Sequence, residues 1–93
     1  MIVGTIEIRL SLHDARTLKD KRRILASLKD RIRNRFNVSV AEVDNNDLIQ
    51  SAVLGVAHVA NNSRYVDSTL NKLVDHVRTF PAASLVDYSI IIT

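Results

Sequence analysis

At 93 residues the chain is long enough for one domain with a two-layer core and too short for two. Apolar residues make up 46% but never run near the ~20 positions of a membrane span, and the absence of cysteine rules out disulfides, a thiol nucleophile and cysteine–zinc sites. A net charge of +3 fits a polyanionic partner only if the basic residues gather on one surface, so their placement decides its weight.

Residues 2–12 alternate, with Ile2, Gly4, Ile6, Ile8, Leu10 and Leu12 against Val3, Thr5, Glu7, Arg9 and Ser11. This predicts a strand with one buried face. A loop follows, in which Thr17 is the N-cap, with Asp20 its capping-box partner, for a helix reaching Phe36. In that helix Leu18, Ile24, Leu25, Leu28, Ile32 and Phe36 fall in one stripe roughly 120° wide. Lys19, Arg22, Lys29 and Arg33 form a basic ridge on its flank, and Arg23 and Arg31 point further into solvent. Lys21 and Arg35 fall inside the apolar stripe, where a cation must snorkel or find a partner. Lys21 is expected to reach an acidic residue or a ligand anion.

Residues 36–44 read as a second strand, and a parity change near Glu42 predicts a bulge or a strand end there. Asn45-Asn46 supplies a turn. A third strand is expected from about Leu48 to Ala60, with Ala52, Leu54 and Val56 inward and Ser51, Val53, Gly55 and Ala57 outward. Asn61-Asn62 caps a second helix that carries Val66, Leu70, Leu73 and Val77 on one face, and Pro81 ends it. The last strand, about 84–92, is expected to bury Val86, Tyr88, Ile90 and Ile92 and to turn Asp87, Ser89 and Ile91 outward.

The order βαββαβ predicts a single α+β domain over residues 1–93, a split-βαβ, ferredoxin-like sandwich. Right-handed crossovers place both helices on one face of a four-stranded antiparallel sheet ordered 4-1-3-2 and leave the other face bare.

The stretch from Arg16 to Phe36 holds nine of the thirteen basic residues and two acidic ones, a net +7 that leaves −4 for the rest of the chain. A merely solvated helix interleaves its signs, and here Asp20 and Asp30 answer only Arg23 and Arg33 at i+3. Arg16, Lys19, Lys21, Arg22, Arg23, Lys29 and Arg33 are therefore the candidate nucleic-acid contacts. Single-strand readers on this fold stack bases on aromatics of the central strands. The chain has only Phe36, Tyr65, Phe80 and Tyr88, and three of these read as core. Phosphate contact with structured RNA, recognised by shape and backbone, is the remaining mode. Four such contacts along the ridge predict a slope of log affinity against log salt of about −3 to −4.

The bare sheet face is small and apolar, and Val3, Thr5, Ile49, Val53 and Ile91 are its candidate interface residues. A self-complementary homodimer is the simplest occupant. His13, His58 and His76 lie on a loop, a strand and a helix without ligand spacing, and His58 reads as a packed histidine. Asp44, Asn46 and Asp47 lack the glycine and closing glutamate of a calcium loop. The two glycines, Gly4 and Gly55, sit inside strands, so no glycine-rich phosphate loop exists. No metal site, cofactor or catalytic constellation is expected.

MIVG at 1–4, SLHDARTLKDKRRILASLKDRIRNRFNVSVAEVD at 11–44, QSAVLGVAHVAN at 50–61 and LVDYSIII at 85–92 resemble the YlxP-like family of small bacterial proteins. The resemblance covers nearly the whole chain, and its motif falls on Leu18, Lys19, Asp20, Lys21, Arg22 and Arg23 and on Arg33, Asn34, Arg35 and Phe36. It implies a ferredoxin-like fold and a cytoplasmic bacterial protein, in keeping with an opening, MIVGTIEIRL, that has no charged leader. Genes of that family lie beside those for translation initiation factor two and ribosome-binding factor A, which implies a link to ribosome assembly or translation. The expected function is a non-catalytic accessory factor that binds ribosomal or other structured RNA through the first helix. The alternative is a protein-interaction module that dimerises through its sheet and docks an acidic partner on the basic helix. A small enzyme acting on a phosphorylated metabolite is a third.

Overall fold

The alternation at the start becomes β1 (Ile2–Ser11), in which Gly4, Ile6, Ile8 and Leu10 are buried while Thr5, Glu7 and Arg9 face out. The computed structural model describes residues 1–93. After β1 come α1 (Leu18–Arg35), β2 (Ser39–Asp44), β3 (Ser51–Ala60), α2 (Ser63–Arg78) and β4 (Ser84–Ile92). The sheet order is β2-β3-β1-β4 with every neighbouring pair antiparallel, which is the expected 4-1-3-2 arrangement read from the opposite edge. The fold is ferredoxin-like.

Ile6, Ile8, Leu10, Ala52, Leu54 and Val56 share one sheet face and join Leu25, Leu28 and Ile32 of α1 and Val66, Leu70 and Leu73 of α2 in one core cluster. Each fully buried Val, Leu or Ile side chain among them contributes about 1.5–3 kcal/mol of transfer free energy. The helices therefore cover one face only. α1 lies over the edge strand β2, and α2 lies over β1, β3 and β4. At Gly4 the two layers nearly touch, since a Cβ there would stand 2.3 Å from Val66 Cγ1. No helix is long and apolar enough to cross a membrane.

The caps form as read. Thr17 accepts from the Asp20 N–H at 3.1 Å, and Asn62 accepts from the Tyr65 N–H at 3.1 Å. Asn45 takes a positive φ of 60° in the turn after β2. Of the bulge or strand end expected near Glu42, the bulge is what forms. Glu42 pairs with Leu54 and Asp44 with Val53, so Val43 is the extra residue and its side chain lies over Gly55 on the open face.

Four structural expectations need correction. β2 begins at Ser39 because Phe36 is the C-cap of α1, its N–H donating to the Ile32 carbonyl at 2.8 Å. β3 begins at Ser51, so Leu48 and Ile49 lie in the β2–β3 loop despite their strand-like side chains. In β4 a second bulge intervenes, with Arg9 opposite Asp87 but Leu10 opposite Leu85, which leaves Val86 unpaired and 60% exposed. Leu85 packs against the core in its place. Finally, of the four aromatic side chains Phe80 is buried and Phe36 packs half-buried against the core, while Tyr65 and Tyr88 are exposed. Neither lies on the open face: Tyr88 pairs with Ile8 and stacks against Arg78, and Tyr65 leans on His58.

Candidate nucleic-acid interface

The ridge exists as an exposed feature of α1. Lys19, Arg22 and Arg33 are exposed and Lys29 is half-buried, on the flank that overhangs the β2 edge. No carboxylate comes within 4.0 Å of Lys19, Arg22 or Lys29; the four ion pairs of the molecule use other cations. Arg33 is different. One of its Nη2 hydrogens goes to the Val40 carbonyl at 2.9 Å and its Nη1 lies 3.8 Å from Asp30 Oδ1, which ties the end of the ridge to β2. Arg23 pairs with Asp20 at 3.2 Å and remains largely exposed. Asp20 also accepts the Arg16 backbone N–H at 3.0 Å, and that bond above all holds its carboxyl below the usual 3.8.

Lys21 does not belong to the interface. Its side chain is 1% exposed, and its ammonium donates to the carbonyls of Asn45 at 2.6 Å and Leu48 at 2.5 Å. The third side of the ammonium faces Glu42 Oε2 at 2.8 Å, a close ion pair with a mostly buried carboxylate. The expected acidic partner is thus Glu42, and a polyanion has no route to the nitrogen. A lysine in an apolar stripe had to find partners, and here it fastens the β2–β3 loop to α1.

The sheet-face candidates divide. Val3 is half-buried opposite Val59, while Thr5 and Ile91 are exposed neighbours in one row across the sheet. They border a shallow groove of about 560 Å³ floored by Gly55 and Ala57 and walled by Val43 and Ile91. Val53 faces the same side but is only 5% exposed, so it offers a partner almost nothing. Ile49 is off the sheet altogether, beside Ala15 and Arg16 in a separate cleft. His58 is packed, its Nδ1 3.0 Å from the Asn37 carbonyl. No group of three His, Asp or Glu side chains could hold a metal ion.

Sequence reasoning missed the opposite flank of α1. Arg31 and Arg35 face Lys72 and His76 of α2 across a cleft between the helices. The signal was present as two i,i+4 pairs of basic side chains, but their facing each other is a tertiary fact.

The solved structure of the de novo designed protein Ferredog-Diesel is similar, with a TM-score of 0.50 and 14% identity over 96% of this chain and 83% of that one, a likeness of fold alone. The Uncharacterized protein YlxP of Bacillus subtilis (strain 168) is 30% identical over 80 residues, 86% of this chain and 87% of that protein. The family model described as Protein of unknown function (DUF503) matches residues 3–90, and the chain belongs to that family.

Proposed function

We propose that this protein is a non-catalytic cytoplasmic accessory factor that binds structured RNA, ribosomal RNA included, through the solvent-facing flank of α1. The observation that carries the reading is the row of Lys19, Arg22 and Lys29, three cations without an acidic partner on a rigid helix whose other side is core. Ordinary surface helices offset such charges at i+3 or i+4. Phosphates offset them equally well. Arg23 and Arg16 extend the row toward the helix start, and no aromatic on the open sheet face offers a stacking platform.

With Arg33 engaged by Val40, three or four phosphate contacts remain, and log affinity should fall against log salt with a slope of about −2 to −4. Replacing Arg22 and Lys29 by glutamine should flatten that slope by about 1.5 and weaken all RNA sequences alike. Binding that is no tighter than a neutral protein shows at low salt refutes the reading. The groove between Val43 and Ile91 favours a second reading, a sheet-face dimer that docks an acidic protein on α1. That reading requires a dimer mass in light scattering and binding that RNA does not compete.

A further inference from the structure

Across α1 from the ridge, the groove between its C-terminal half and α2 encloses about 550 Å³, within the range of small-molecule sites. Arg31 and Arg35 stand one helical turn apart on α1, and Lys72 and His76 stand one turn apart on α2. None of the three permanent cations has an ion-pair partner, and the one carboxylate of the wall, Asp75, pairs with Arg78 at 3.5 Å. Helix dipoles account for basic residues in a last turn, such as Arg35 and His76. They do not account for Arg31 or Lys72, which lie further in. Packed helices that face each other with like charge lose stability unless an anion sits between them.

Aromatic rings lie beside two of these basic groups. The Arg31 guanidinium rests 5.2 Å from the Phe80 ring centroid, and the Phe36 ring meets His76 edge-on at 5.8 Å. We infer that this cleft binds a phosphoryl or pyrophosphoryl group, gripped by the planar forks of Arg31 and Arg35 with Lys72 as a point charge. The site is independent of the ridge and does not rest on the RNA reading. His76 does not have to touch the ligand, since its Nε2 is buried and unpartnered. It reports on the site instead. Burial first, then the charges of Arg35 and Arg31, lower its pKa from the usual 6.5. An anion between those arginines cancels their share, while Asp75, Arg78 and Lys72 stay in place, so filling the cleft should raise it.

The test follows the His76 and Lys72 side-chain NMR signals of the full chain during titration with inorganic pyrophosphate. The expected result is a saturable shift, a rise in the His76 pKa, and at least tenfold weaker binding in Arg35→Gln and Arg31→Gln. Arg22→Gln/Lys29→Gln should bind pyrophosphate unchanged. Both arginines are exposed, so the variants should keep the parent's circular dichroism. A short oligonucleotide with and without a 5′-phosphate separates the sources: tighter binding of the phosphorylated end marks a nucleic-acid terminus, and response to pyrophosphate alone marks a free metabolite. Absence of a saturable shift at about 10 mM, where even a millimolar site is nearly full, overturns the inference. So do shifts that survive in both arginine variants, or shifts given only by oligonucleotide and abolished in the ridge variant.

Discussion

Replacing Lys21 with methionine keeps the volume of the side chain and removes only its charge and donors. Glu42, whose side chain is 17% exposed, would then lose the cation at 2.8 Å. The carbonyls of Asn45 and Leu48 would lose their donor too. Breaking a buried pair by removing one member costs about 3–5 kcal/mol, and the partial exposure of Glu42 places this case near 3. For a domain of this size that lowers Tm by roughly 12–24 °C, against a total stability of about 5–14 kcal/mol. Urea denaturation gives the loss directly as a lower midpoint at unchanged slope. Lys21→Met/Glu42→Leu should recover most of it, because an apolar pair leaves no charge stranded. Hydrogen exchange in residues 45–50 should quicken in the single variant and RNA affinity should stay put. A Lys21→Met protein within 1 kcal/mol of the parent, or a double variant no better than the single, refutes the account of this lysine as the loop's fastening.

Gly4→Ala should cost about 1–3 kcal/mol in urea denaturation, because the new methyl meets the buried Val66 Cγ1 at 2.3 Å. Gly55→Ala should cost less, since the obstacle is the exposed Val43 side chain at 2.7 Å; it should instead crowd the sheet groove and weaken any dimer seen by light scattering. Asp20 and His76 both add to the pH dependence, with opposite chemistry and the same sign. Asp20, with its folded pKa lowered by the Arg16 N–H, contributes stability that is present above 3.8 and lost as pH falls through the folded value; Asp20→Asn should lack that acid limb. His76 also titrates lower when folded, so the unfolded chain takes up the proton first and stability drops as pH falls below 6.5; His76→Gln should remove that decline.

Where side-chain period alone decides structure, the sequence was sufficient. The alternation of β1, the stripe of α1 and the caps at Thr17 and Asn62 all reflect local physics, and each forms where the residues place it. The parity break in β2 was legible because Val40 and Val43 fall on opposite faces. The bulge in β4 was not, since Leu85 and Val86 are both apolar and either could have taken the core position. Leu48 and Ile49 misled for a related reason: apolar, strand-forming residues sit in a loop whose conformation Lys21 imposes from α1. The burial of Lys21 was foreseeable from its angle on the helix. Its partner Glu42 is on β2, a separate element, and nothing local announces that meeting. The same holds for the cleft, whose two arms lie in helices separated by two strands.

The grip of Arg33 on Val40 has a bearing on how copies of this chain can meet. β2 and β4 are the two outer strands, and an outer strand normally offers a ladder of free carbonyls and amides to any neighbour. On β2 a charged side chain already holds one of those carbonyls. On β4 the bulge at Val86 interrupts the regular spacing that an incoming strand would need. Lateral growth into a continuous ribbon is thus obstructed on both sides, at no expense to the open face.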